Sequence, residues 1–141
     1  MAIREHPDTG TVLMCDFGGG FRVPEMVKRR PVVVISPRIR GRPGLCTIVP
    51  LSTTAPAPAM DYHCQIDLDP PLPEKWISSG LWVKGDMICS VSLDRLDFIR
   101  TGRHEDGRRK YYFHKLSRQT ISGIRGCVLA GLGLSHLTKH L

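Results

Sequence analysis

The sequence lacks any Cys-x-x-Cys pair. Its five cysteines, Cys15, Cys46, Cys64, Cys89 and Cys127, are scattered and odd in number. That argues against a disulfide framework and for thiols kept reduced. Ligand spacing is missing too, since none of the six histidines groups with the cysteines. His63 and Cys64 are adjacent, so on a strand they leave on opposite faces. The expectation is no metal and no other cofactor. The opening MAIREHPDTG holds no apolar stretch resembling a signal peptide, and no run is long enough to span a bilayer. A cytoplasmic protein without membrane contact is expected. Internal repeats are absent. The Gly18-Gly19-Gly20 step has no helix signal or Lys-Ser/Thr after it, which excludes a phosphate-cradling loop. Acidic residues are the last shortage, 13 against 20 Lys and Arg, for a net charge of +7.

That surplus suits an anionic partner, nucleic acid first among them, although a merely soluble basic protein carries the same charge. A length of 141 residues predicts one domain, 1–141, with a core of its own. Residues 1–9 are polar and close on a turn signal. Segments 11–17 (TVLMCDF), 32–35 (VVVI), 45–51 (LCTIVPL), 62–68 (YHCQIDL), 81–84 and 87–91 read as strands. The continuous run 32–35 fits a strand covered on both faces. Pro50 suggests an edge or a bulge near a strand end. Between strands lie a glycine-bearing loop at 18–29, expected to be mobile, a basic connection at 36–44 and a proline-rich loop at 69–74. Segments 97–101 and 110–114 pair as a hairpin across Asp106-Gly107. Leu116, Ile121, Ile124, Val128, Leu129 and Leu132 recur at helical spacing, with Ser117 as N-cap, predicting a helix within 117–134. Gly123, Gly126 and Gly131 weaken that helix or let it pack very closely. The fold class is mostly β (α+β), a small barrel with a C-terminal helix.

The chemistry gathers around PEMVKRRPVVVIS at 24–36. Burying an arginine beside valines costs several kcal/mol unless it is paired, which places Arg30 at the strand mouth. A guanidinium held there grips a phosphate with two parallel hydrogen bonds. Glu25 reaches the same cleft from the loop. A plain Glu25–Arg30 salt bridge is the commoner meaning of such spacing. Ser52-Thr53-Thr54 reads as a strand-ending turn, and Asp86 as a turn or bulge residue after Gly85.

Taken together, GTVLMCDF, PEMVKRRPVVVIS, GLCTIVPLSTT and WVKGDMICSVSLDRL resemble the PemK/MazF family of toxin endoribonucleases over about residues 10–96, and the C-terminal helix does so more loosely. The matching positions are Glu25, Arg30-Pro31, Pro50 with Ser52-Thr53, and Asp86. The resemblance implies an SH3-like barrel, a symmetric homodimer, an inhibiting cognate antitoxin and metal-independent cleavage of single-stranded RNA, here mRNA. It also implies catalytic roles for Glu25, Arg30, Ser52 and Asp86, and RNA contacts from Lys28, Arg29, Thr53 and Lys84. Attack by the RNA's own 2′-OH would leave a 2′,3′-cyclic phosphate, with Glu25 or Asp86 as the base.

The sequence departs from that family in three places. Pro24 stands where a histidine is expected beside the loop glutamate. Met87 replaces the glutamine expected after the aspartate. Residues 100–115 form a longer basic link, with Arg103, Arg108, Arg109, Lys110 and Tyr111-Tyr112. Basic residues interleaved with aromatics suit single-stranded RNA, and equally an amphipathic hairpin whose rings are core. Two other functions fit a barrel of this charge: a CcdB-like poison of DNA gyrase and a non-catalytic nucleic-acid-binding module. The conjunction of Glu25, Arg30 and Ser52 favours the nuclease.

Overall fold

A computed structural model describes residues 2–73 and 80–141. Nine strands and one α-helix occur among them: β1 Val12–Asp16, β2 Arg29–Val34, β3 Leu45–Ser52, β4 His63–Ile66, β5 Leu81–Lys84, β6 Cys89–Ser92, β7 Leu96–Asp97, β8 Arg100–Arg103, β9 Arg109–Tyr111 and α1 Arg118–Gly131. Short 3-10 turns cover Gly85–Met87, Leu93–Arg95 and Ser135–His140. Mostly β with a C-terminal helix is the observed class. The main sheet is antiparallel in the order β4-β5-β3-β2-β1-β7, with β6 also on β3, while β8 and β9 form a separate ribbon. Among the described residues this path ends at β4 and β7 without closing on itself.

The apolar run of β2 is buried on both faces, as its lack of alternation requires. Val33 and Ile35 join Val12, Met14, Val49, Leu51 and Val83 under α1, which contributes Ile124, Cys127 and Val128. Val32 and Val34 join Leu13, Cys15, Phe17, Cys46 and Ile48 on the other face, beneath Ile3, Leu93 and Leu96. Pro50 sits inside β3, opposite Val32. It falls between Leu45–Ile48, which pair with β6, and Leu51–Ser52, which pair with β5. A residue without an N–H is least costly where the ladder changes partner.

Ser117 caps α1 as expected, its Oγ accepting from the Thr120 N–H at 3.1 Å. The helix glycines serve the close-packing reading at one position. A Cβ on Gly131 would lie 3.0 Å from the Asp86 α-carbon, whereas Gly123 faces open space. Gly85 is tighter still, since a Cβ there would meet the Cys127 carbonyl group at 2.6 Å. The helix therefore rides directly on the backbone of the Gly85–Met87 turn.

Several boundaries shift from the sequence reading. Strand β2 begins at Arg29, because Asp16 and Cys15 extend the pairing to Arg29 and Arg30. Met87 belongs to the 3-10 turn, and β6 starts at Cys89. The hairpin strands lie nearer the turn than the expected 97–101 and 110–114, as Arg100–Arg103 with Arg109–Tyr111. In the proline-rich loop Glu74 lies outside the described residues, as does Met1 of the N-terminal arm.

A candidate active site on one face of the sheet

Side-chain alternation sends Arg30 to the same face as Val32 and Val34. Carried two residues further, the Val32–Pro50 register sets Arg30 level with Ser52. Ser52 is opposite Trp82, and Trp82 is opposite Gln65. A single row thus crosses four strands as Arg30, Ser52, Trp82 and Gln65. Arg30 is half-buried, and among the described residues its enclosed Nε has no acceptor; the Trp82 Nε1 is in the same condition. Two enclosed donors without partners flank Ser52, in a class of atom that folded proteins nearly always satisfy.

A cleft of about 400 Å³ is lined by Phe17, Pro24, Glu25, Met26, Asp86, Met87, Ile88 and Cys89. It brings together Glu25 and Asp86, two carboxylates from opposite ends of the sequence motif. Both are exposed. The Cys89 thiol is pushed up in pKa by burial and then by the nearby Glu25 charge. Arg30 and Ser52 do not line the cleft itself. What links row and cleft is the apolar cluster of Val32, on which Met26 and Cys89 from the cleft also pack.

Glu25 is held by its own turn. Its Oε2 accepts from the Arg22 N–H at 2.8 Å, and its N–H donates to the Arg22 carbonyl at 2.7 Å. The ion pairs among the described residues are Arg108–Asp106 and Lys115–Asp8, so the salt bridge that spacing suggested for Glu25 and Arg30 does not form. Ser52 is buried, and its hydroxyl accepts from the Thr54 N–H at 3.1 Å, the turn role its neighbours predicted. Thr53 is half-buried beside it. Lys84 ends β5, partly exposed, and Lys28 and Arg29 are exposed where the loop enters β2. Arg29 points to the face opposite Arg30 and is paired in register with Asp16. Among the described residues no group of three or more His, Cys, Asp or Glu converges as a metal site.

One residue of this region escaped the sequence reading. Arg95 donates from Nη1 to the carbonyls of Asp16 (2.9 Å) and Gly18 (2.8 Å), and from Nη2 to that of Gly19 (3.0 Å). Its guanidinium also lies 4.9 Å from the Phe21 ring centre, and Phe21 meets Phe17 edge-on at 5.3 Å. The glycine loop is therefore anchored at its root, where free movement was expected. Five donors in a rigid fork suit arginine to gathering several carbonyls at once. Only a residue so far along the chain, closing on this loop in three dimensions, reveals the role.

Residues 8–125 match the family described as PemK-like, MazF-like toxin of type II toxin-antitoxin systems. The uncharacterized protein YifN of Escherichia coli K12 is 33% identical over 121 residues, covering 73% of this chain and 80% of that protein. An uncharacterized Haemophilus influenzae protein is 27% identical over 149 residues, covering 97% of this chain and 98% of its own length. Among solved structures, MazF of Deinococcus radiodurans superposes with a TM-score of 0.56 at 22% identity, over 91% of this chain and 97% of its own. Mycobacterium tuberculosis toxin MazF-mt6 does so at 0.53 and 15%, over 88% and 97%. At those identities the solved structures establish the fold.

Proposed function

The chain belongs to the PemK-like, MazF-like family of toxins of type II toxin-antitoxin systems, and from that membership we propose that it is a metal-independent endoribonuclease acting on single-stranded RNA. The observation that carries the reading is Arg30: a strand fixes it, it is half-buried, and among the described residues no carboxylate pairs with it. A cation so placed is preorganised for an anion that the free protein does not supply.

RNA brings its own nucleophile. Glu25 or Asp86 takes the proton of a 2′-OH, the O2′ attacks the adjacent phosphorus, and the bond to O5′ breaks. The products are a 2′,3′-cyclic phosphate and a 5′-hydroxyl, which receives a proton as it leaves. Arg30 stabilises the charge on the phosphoryl oxygens. Ser52 turns its hydroxyl from Thr54 to a phosphate oxygen, and Lys28, Arg29, Thr53 and Lys84 hold the flanking backbone. The natural substrate is mRNA in the cytoplasm, a cognate antitoxin blocks the cleft, and the active form is a homodimer.

The test is cleavage of a single-stranded RNA in EDTA, with the ends identified by mass spectrometry. Full activity with cyclic-phosphate ends is expected. A requirement for Mg²⁺ together with 5′-phosphate ends would overturn the mechanism.

A further inference from the structure

Strand β8 carries a bulge between Arg100 and Gly102, and that bulge decides which residues share a face. The pairs Arg100–Tyr111 and Arg103–Arg109 project to one side, while Gly102–Lys110 falls on the other. Gly102 has φ +147°, a backbone state that L side chains rarely adopt. Alternation then turns Tyr112 into the core, where its hydroxyl donates to the Pro70 carbonyl at 2.7 Å, and turns Phe113 outward at 57% exposed. Phe98, Tyr111 and Phe113 meet in a triangle of rings with centres 5.0 to 6.4 Å apart. Of the two sequence readings of this segment, Tyr112 follows the core reading. The rings on either side of it do not.

The resulting face is a row of arginines leading to a cluster of partly exposed aromatic rings. Two like charges sit directly across the ribbon as Arg103 and Arg109, an arrangement that destabilises a hairpin unless an anion lies between them. Arg103 is steadied by donating to the Gly107 carbonyl at 2.8 Å, and Arg109 interacts with the Tyr111 side chain on the same face. At the other end of the cluster, Phe98 forms one wall of a groove of about 670 Å³, to which the N-terminal arm contributes Arg4 and His6 together with Glu5 and Asp8.

From this face we infer that the β8–β9 ribbon is a second contact surface for single-stranded RNA, separate from the cleft that holds Glu25 and Asp86. Unpaired bases stack on Phe98, Tyr111 and Phe113, and the phosphates between them lie along Arg100, Arg103 and Arg109. Single strands are required, because a duplex keeps its bases stacked on one another and presents no free ring face. The ribbon follows β7, the edge strand beside β1, so it extends the RNA path beyond the sheet rather than adding to the chemistry. The inference rests on RNA being the substrate.

Its test uses the full chain, a 2′-O-methyl RNA of about twenty nucleotides, longer than the ~4–16 that one small barrel covers, and the same RNA as a duplex. Phe113→Ala should weaken single-strand binding roughly five- to hundredfold, as loss of one stacking platform does. Phe113→Tyr should retain it. Arg109→Ala should weaken binding and flatten its salt dependence by about one phosphate contact, while Lys110→Ala on the other face does so less. Duplex binding should be unchanged in the Phe113 variants, and cleavage of a short saturating RNA should be the same in all variants. If wild type binds and cleaves RNA but Phe113→Ala binds equally well, or Arg109→Ala and Lys110→Ala lose equally, this inference falls alone. If the variants keep RNA affinity and lose binding to poly-glutamate instead, the face serves a protein and the inference is overturned. A wild-type protein that neither binds nor cleaves RNA removes both this inference and the proposed function.

Discussion

Arg29 and Arg30 are neighbours in sequence with opposite circumstances. Arg30 faces the sheet side where Ser52 and Trp82 stand, half-buried with an unpartnered Nε. Arg29 is exposed on the other side, level with Asp16. Arg30→Ala should therefore slow cleavage on the order of a hundredfold, the usual loss when one transition-state donor is removed. The melting temperature should barely move, because no structural ion pair is lost. Arg29→Ala should act on RNA affinity and its salt dependence instead. Equal rate losses in the two variants, or an Arg30→Ala protein as fast as wild type, would return the arginine to a structural role. Arg30 as a candidate was legible from a charge abutting an apolar strand, and Glu25 and Asp86 from spacing matched to a family; the structure sets the two carboxylates on one cleft and leaves Arg30 outside its lining. Arg95 was not legible. Its partners are carbonyls up to 79 residues earlier in the chain, and backbone acceptors carry no sequence signature.

Elements built from a single period were the easiest to read. Helix α1 announced itself through its apolar repeat and its Ser117 cap, and the β8–β9 turn through Asp106-Gly107. Boundaries failed where tertiary pairing overrode local preference, as at Arg29–Pro31, which joins β2 only because β1 is long enough to pair with it. The contact between α1 and the Gly85–Met87 turn was half legible. Glycines in a helix signal close approach, but only the structure says to what. Here Gly85 and Gly131 let the helix backbone settle onto the turn that presents Asp86 to the cleft. A methyl at Gly85 would overlap the Cys127 carbonyl, and backbone on both sides leaves nothing soft to yield. Gly85→Ala should cost about 1–3 kcal/mol or more and displace Asp86. Thermal unfolding and cleavage rate measured together check this. A Gly85→Ala protein with unchanged melting temperature and rate would show that the helix does not set the turn.

At the scale of the whole molecule, exposed leucines gather in the segment after α1. Leu132 is 59% exposed, Leu137 36% and Leu141 50%, all within the segment that leaves α1 and runs through the Ser135–His140 turn. Scattered exposed leucines are ordinary on a monomer, but three within ten residues of an otherwise polar segment offer apolar surface that association would bury. A two-fold arrangement is the simplest, since it lets that surface meet its own copy. Light scattering at micromolar concentration should give a mass near twice 15.7 kDa. A Leu132→Lys, Leu137→Lys double variant should shift that mass toward the monomer without unfolding the sheet, whose core lies elsewhere. Because Leu132 directly follows Gly131, which packs against the Asp86 α-carbon, release of this segment should also reach the cleft and slow cleavage. A wild-type mass of 15.7 kDa would mean that the leucines serve no self-association. A dimer indifferent to both substitutions would place its contact on the strands instead.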